Sequence, residues 1–265
     1  MKHMYRILVV LFAVFAASAV FPEEKLSQSY TDMLFGRDKT FPLSTYNPMY
    51  FVDGYPNAKV LMSFKYQFIE KFNLFFGYNQ YMFWDIHDKS RPFLDINFNP
   101  QLFYHLPVQW GILDSVQLGL YEHKSNGKDG YDSRSYDSNY MRIILGKTSE
   151  KYILRCTLRP YVLYRLDDTN RNIREYMGWW EADLVAGRIF NGPVESVALY
   201  GRVFAGGIDG TDFSKGGQEI MFITRLSILG AHPALCFQFY HGYVESQLEY
   251  EKKETAYRGG LMLYI

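Results

Sequence analysis

The chain has 265 residues, in which 28 Lys and Arg balance 28 Asp and Glu. A neutral chain with no basic excess lacks the electrostatic footprint of a nucleic-acid binder, and the length suits one all-β domain of barrel size. Hydrophobic residues make up 48% of the chain and aromatics 18%, yet mean hydropathy is only −0.20, so apolar and polar residues are evenly interleaved, as in alternating strands.

Lys2 and Arg6 precede an apolar run from Ile7 to Ala17, and Ala17-Ser18-Ala19 forms a small-residue cleavage site. This pattern predicts a secretory signal at 1–19, cut after Ala19. Its apolar core is too short for an ordinary spanning helix, and nothing downstream matches it. The mature chain is therefore expected to leave the cytoplasm, then stay soluble or insert as a barrel. Residues 20–42 read as a polar segment ahead of the barrel.

From there the pattern has period two. Val60, Met62, Phe64, Tyr66 and Phe68 alternate with Lys59, Ser63, Lys65 and Gln67, Leu61 being the exception. Ile96, Phe98, Leu102 and Tyr104 alternate with Asp95, Asn97, Asn99 and Gln101; Leu154, Cys156, Leu158 and Val162 with Arg155, Thr157, Arg159 and Arg165; Leu235, Phe237 and Phe239 with Cys236, Gln238 and Tyr240. Twelve strands are predicted, near 43–54, 58–69, 72–84, 95–106, 113–125, 136–147, 151–165, 177–190, 195–206, 217–229, 232–247 and 255–265. Soluble sandwiches alternate too. Strands of about ten residues or more with aromatic ends, and polar faces rich in Arg and amides, favour a transmembrane barrel with a polar lumen. The fold expected is all-β: a 12-stranded antiparallel transmembrane β-barrel of the bacterial outer membrane, over residues 43–265. An even count places both termini in the periplasm, the longer loops 124–136 and 166–176 outside, and the short turn 147–151 inside. Cys156 and Cys236 sit in alternating rows, which favours small wall residues over a framework bridge; a disulfide stays open in an oxidising compartment.

Chemistry concentrates in Tyr121-Glu122-His123-Lys124-Ser125-Asn126-Gly127 and Ser133-Arg134-Ser135-Tyr136-Asp137. Met141, Ile143 and Leu145 share odd parity opposite Arg142, so Asp137 is expected on the lipid face. On the preceding strand Val116, Leu118 and Leu120 are even while His123 and Ser125 are odd. Strict alternation aims that pair inward; a β-bulge near Tyr121-Glu122 brings all three groups to one exterior. Ser125 would then attack an ester carbonyl, His123 would carry its proton, Asp137 would orient the imidazole, and the Ser125 backbone N–H and a metal-bound water are the candidate oxyanion donors. A lone His-x-Ser carries no information, Asn126-Gly127 alone reads as a turn, and Ser133 and Ser135 alone read as solvated hydroxyls.

The whole string His-x-Ser-Asn-Gly…Ser-Arg-Ser-aromatic-Asx resembles the outer membrane phospholipase A family. So do Asn97-Phe98-Asn99-Pro100-Gln101-Leu102-Phe103, Tyr176-Met177-Gly178-Trp179-Trp180 and Gly242-Tyr243-Val244-Glu245-Ser246, in the same order. The resemblance runs from about Tyr46 to the C-terminus. It implies a calcium-dependent phospholipase A1/A2, active as a homodimer at the outer leaflet, that cleaves acyl esters of phospholipids and of lysophospholipids. By position His123 is the base, Ser125 the nucleophile and Asp137 the third member, where relatives often carry Asn; Asn139 is a weaker candidate. The resemblance places calcium on the Lys128 carbonyl, the Ser133 hydroxyl, Asp168 and a carbonyl from Ser90 of the partner subunit. Asp168 reads equally as a solvated loop acid. Gln80 matches a dimer-contact residue, or equally a lumen residue. A porin-like or structural barrel, and another outer-membrane lipid acyl hydrolase such as a lipid A deacylase, are the competing readings.

Overall fold

The computed structural model describes residues 43–69, 72–149, 151–229 and 232–263; the expected signal peptide and pre-barrel segment lie outside the described residues. The strands are β1 Leu43–Ser44, β2 Met49–Tyr55, β3 Ala58–Ile69, β4 Leu74–Trp84, β5 Phe93–Trp110, β6 Leu113–Ser125, β7 Ser135–Thr148, β8 Tyr152–Tyr164, β9 Trp180–Ile189, β10 Val194–Gly206, β11 Asp212–Leu226, β12 Ala234–Gly242 and β13 Glu254–Leu263. From β2 onward each pairs antiparallel with its neighbour in sequence, and β13 pairs with β2, which closes the sheet. β1 and β2 both pair with β3, so they are two pieces of one stave and the barrel has the twelve staves expected. The stave is broken at 45–48, where Tyr46 Oη donates to Gln101 Oε1 at 3.1 Å and Asn47 Nδ2 donates to Asn79 Oδ1 at 2.8 Å. Closure leaves no strand edge, the condition for β structure in lipid.

The alternation sorts as expected along the strands, but Arg165, expected in an inward row, lies just past the end of β8 and is 75% exposed, paired with Asp137 because the backbone turns there. Met62, Phe68, Leu154, Leu158, Val162, Leu235 and Phe237 are exposed on the outer wall, while Lys59, Ser63, Arg155, Arg159 and Gln238 are buried in the lumen. Leu61 breaks its row because it faces inward, into an apolar cluster with Tyr50, Val52, Met221 and Cys236. Cys156 lies on the exposed side and Cys236 on the buried side, and both are free thiols. Two expected strands overran. Residues 177–179 belong to the end of the short helix α1, Arg174–Met177, and the turn after it. Residues 243–247 form a loop that turns into the barrel mouth, where Glu245 meets Lys59 at 3.3 Å and Arg258 at 2.5 Å. Burial opposes charge on Glu245, but the two cations prevail and hold its carboxyl below the usual range.

The lumen is filled. An alternating series of charges crosses it: Glu122–Arg159 (2.5 Å), Arg159–Glu181 (2.8 Å), Glu181–Arg202 (3.6 Å), Arg202–Glu219 (3.3 Å), Glu219–Lys59 (3.9 Å), then Lys59–Glu245–Arg258. Aromatic rings occupy more of the space, with Tyr46 and Phe75 both stacked on Phe103. A lumen closed by salt bridges and rings has no room for a wide aqueous channel, which removes the physical basis of a porin-like reading.

Candidate active site on the outer wall

The bulge is present. Gly119 lies opposite Tyr140 and Glu122 opposite Ser138, so two residues of β6, Leu120 and Tyr121, face the single residue Asn139 of β7. A matching shift appears against β5. Leu120 and Tyr121 are both exposed on the outer wall, and Glu122 returns to the lumen. The extra residue therefore carries His123 and Ser125 outward, one position earlier than the sequence places it. On the lumen side Glu122 is anchored by Arg159, Ser138 and Asn99. The second donor hydrogen of Asn99 Nδ2 reaches the His123 carbonyl at 3.0 Å. Asn99 thus ties the bulged strand where the β5 ladder is interrupted, a role that the sequence pattern showed only as one polar residue in an inward row.

His123 and Asp137 are direct cross-strand partners. His123 Nδ1–H donates to Asp137 Oδ1 at 2.8 Å, and Tyr121 Oη donates to the same oxygen at 3.2 Å. Protonation of Nδ1 leaves Nε2 as the basic nitrogen. The Asp137 side chain is 3% exposed although it sits on the outer face, and the His123 side chain is 36% exposed. Ser125 follows His123 on the same side, about 7 Å along the strand. Among the described residues no hydrogen bond joins Ser125 to His123; nucleophile–base contacts are commonly looser before substrate arrives. Asn139, the weaker candidate, is committed elsewhere, its amide donating to the Leu120 carbonyl at 2.5 Å.

The loop after Ser125 is pinned by Asn126, which is buried. Its Nδ2 donates to the Asp132 carbonyl at 2.8 Å, and its Oδ1 accepts from Arg134 N at 2.9 Å. Gly127 has φ +67, and a Cβ there would stand 2.8 Å from the Phe98 ring, so both its backbone and its neighbour call for glycine. The Ser133 hydroxyl donates to Asp167 Oδ2 at 2.9 Å. Hydrogen bonds from the Thr169 backbone and from Ser133 hold the Asp167 carboxyl below its ordinary range. Asp168 instead points away: its side chain is 83% exposed and pairs with Arg171 at 2.5 Å. Asp167 is therefore the acid beside Ser133, a one-residue choice within Asp167-Asp168 that spacing could not make. Ser90 lies exposed in the β4–β5 loop. Gln80 is outward, since the buried residues of β4, Phe75, Gly77, Asn79 and Phe83, all have the opposite parity, and its Oε1 accepts from Tyr78 Oη at 2.8 Å. In register, Gln80 faces Phe98, Phe98 faces Ser125 and Ser125 faces Ser135. Gln80 thus lies at the height of Ser125, roughly 10 Å away by two strand spacings.

Fold and site together define a membrane-spanning antiparallel barrel with a histidine–carboxylate pair and a serine on its outer wall. Residues 37–263 match the family model described as Phospholipase A1. Phospholipase A1 of Escherichia coli K12 is 28% identical over 194 residues, covering 71% of this chain and 61% of that protein. A putative phospholipase A1 of Neisseria meningitidis serogroup B is 26% identical, covering 77% of this chain and 54% of that protein. The solved outer membrane phospholipase A from E. coli superposes with a TM-score of 0.68 at 25% identity, over 88% of this chain and 95% of that one. The Salmonella typhi outer membrane phospholipase, a dimer with bound calcium, gives 0.69 at 23% identity, over 90% and 98%. The chain belongs to the phospholipase A1 family, as its motifs led us to expect. Its barrel is that of a bacterial outer-membrane protein. The chain spans about three-fifths of the length of the enterobacterial relatives.

Proposed function

We propose that this chain is a calcium-dependent phospholipase A, active as a homodimer, that hydrolyses acyl esters of phospholipids in the outer leaflet, lysophospholipids included. The observation that carries the reading is the bulge-directed placement of His123, Ser125 and Asp137 on the lipid side of the wall. Substrate reaches such a site laterally from the membrane. Ser125 Oγ attacks the ester carbonyl as His123 Nε2 takes its proton. The protonated imidazole is held by Asp137 and then returns the proton to the leaving alcohol. Water repeats the sequence on the acyl enzyme. The Ser125 N–H stabilises the oxyanion.

The donor set suits calcium. The Lys128 carbonyl, the Ser133 hydroxyl and a nearby carboxylate are all hard oxygen ligands, on a loop that Asn126 holds in shape. Ser90 of the partner subunit would add a carbonyl. When bound, the cation supplies positive charge beside the developing oxyanion. Asp168 is exposed and engages Arg171 through Oδ1, away from Ser133. The homodimer is supported by Gln80, a polar side chain on the lipid-facing wall at the height of Ser125. Such a group gains a hydrogen-bond partner from a second barrel, and that barrel would also wall the acyl cleft.

The test is phospholipid hydrolysis by the full chain in micelles across a calcium titration. Activity should vanish in EDTA and return with calcium; undiminished turnover in EDTA defeats the calcium assignment. In the same titration Asp167→Asn should raise the half-saturating calcium concentration several-fold and Asp168→Asn by less than twofold. The opposite ranking would give the site back to Asp168.

A further inference from the structure

The third member of the site is a carboxylate, and one of its oxygens is not accounted for by the proposed mechanism. Asp137 Oδ1 takes both His123 and Tyr121, whereas Oδ2 is buried and receives no aligned hydrogen bond. Its near neighbour is Arg165, whose Nη1 lies 3.1 Å away as an ion pair. Arg165 sits just past the end of β8, beyond Tyr164, which is the cross-strand partner of Asp137. Its backbone has φ 48, the left-handed region that favours glycine. The turn directs a long side chain, 75% exposed, back over the carboxylate. The groups facing Asp137 are thus Tyr121 and His123 from β6 and Tyr164 and Arg165 from β8. Of these only Arg165 is permanently charged.

We propose that Arg165 is a positioning residue for the hydrolytic site, the counter-charge that lets an aspartate stand in the third place. This inference rests on the hydrolase reading above. A buried carboxylate at a lipid face needs compensation, and while the imidazole is neutral Arg165 supplies it. By engaging Oδ2, Arg165 leaves Oδ1 aimed at His123 Nδ1. A neutral amide at residue 137 would have no use for it. The role is therefore coupled to Asp137 and is not a general support of the loop.

The experiment is a double-mutant cycle in the full chain with calcium present, read by kcat, KM and the rate at which a sulfonyl fluoride labels Ser125. Arg165→Gln should lower kcat and the labelling rate roughly tenfold with KM within about twofold, a coupling usual for contacting charged residues. Arg165→Gly, which suits the left-handed backbone and so protects against misfolding, should give the same loss, and Arg165→Lys should restore most of it. In an Asp137→Asn background, Arg165→Gln should change kcat by less than about twofold, since the partner charge is gone. Equal losses in both backgrounds, no loss with Asp137 in place, or a change in KM alone would overturn the inference. An inactive parent, or Ser125→Ala that still hydrolyses phospholipid, overturns both it and the hydrolase reading. An active, Ser125-dependent parent indifferent to Arg165→Gln overturns only this inference.

Discussion

Ser125→Ala is expected to lower phospholipid hydrolysis by about 10⁴-fold or more while leaving the barrel intact, because loss of the nucleophile removes the covalent route and leaves only binding and oxyanion stabilisation. The fold should not suffer. Ser125 ends β6 on the outer wall, and among the described residues no side-chain hydrogen bond of the lumen network depends on its hydroxyl. Initial rates on a micellar phospholipid, with heat-unfolding of the detergent-solubilised barrel as control, check both halves. A variant that retains more than a few per cent of the rate would remove Ser125 from the chemistry, whatever its position beside His123.

The second large effect lies on the other side of the same strand. Arg159→Met is expected to destabilise the barrel by roughly 3–5 kcal/mol, because it strands Glu122 as a buried charge without its cation and leaves Glu181 only the longer pair with Arg202. Glu122 is the residue before His123, so the same change should loosen the bulge and depress activity more than stability alone explains. Adding Glu122→Gln and Glu181→Gln should recover most of the stability, since the cost is one of uncompensated charge and not of lost volume. Unfolding in denaturant with detergent present reads this directly. An Arg159→Met barrel as stable as the parent would show that the ionic series across the lumen contributes nothing to holding it shut.

Much of the barrel is legible in the sequence. A side-chain period of two across a wall with two different solvents writes itself into the chain, so the parities of Met62, Arg159, Val162 and Phe237 named both faces correctly. Length and loop spacing then set twelve staves. The failures are equally local. Tyr243-Val244-Glu245 alternates like a strand but turns inward, because Lys59 and Arg258 from opposite ends of the sequence offer Glu245 a charged seat in the lumen. Met177 read as a strand residue, yet it closes a helical turn that caps the barrel mouth.

The candidate site divides in the same way. By itself the sequence pointed to the residues we propose for the chemistry, and showed that they share a face only if β6 contains a bulge. A phase error between Leu120 and His123 shows up in any reading of period two. Only the tertiary structure decided where the extra residue falls, at Leu120–Tyr121, and that Asn99 and Arg159 hold it there from within the lumen. It alone chose Asp167 over Asp168 beside Ser133, put Gln80 outside the wall at the height of Ser125, and brought Arg165 onto Asp137. The physical reason is one of range. Alternation is a local property of an extended chain, whereas these contacts join residues that closure of the barrel makes neighbours, across strands and loops whose register no single strand encodes.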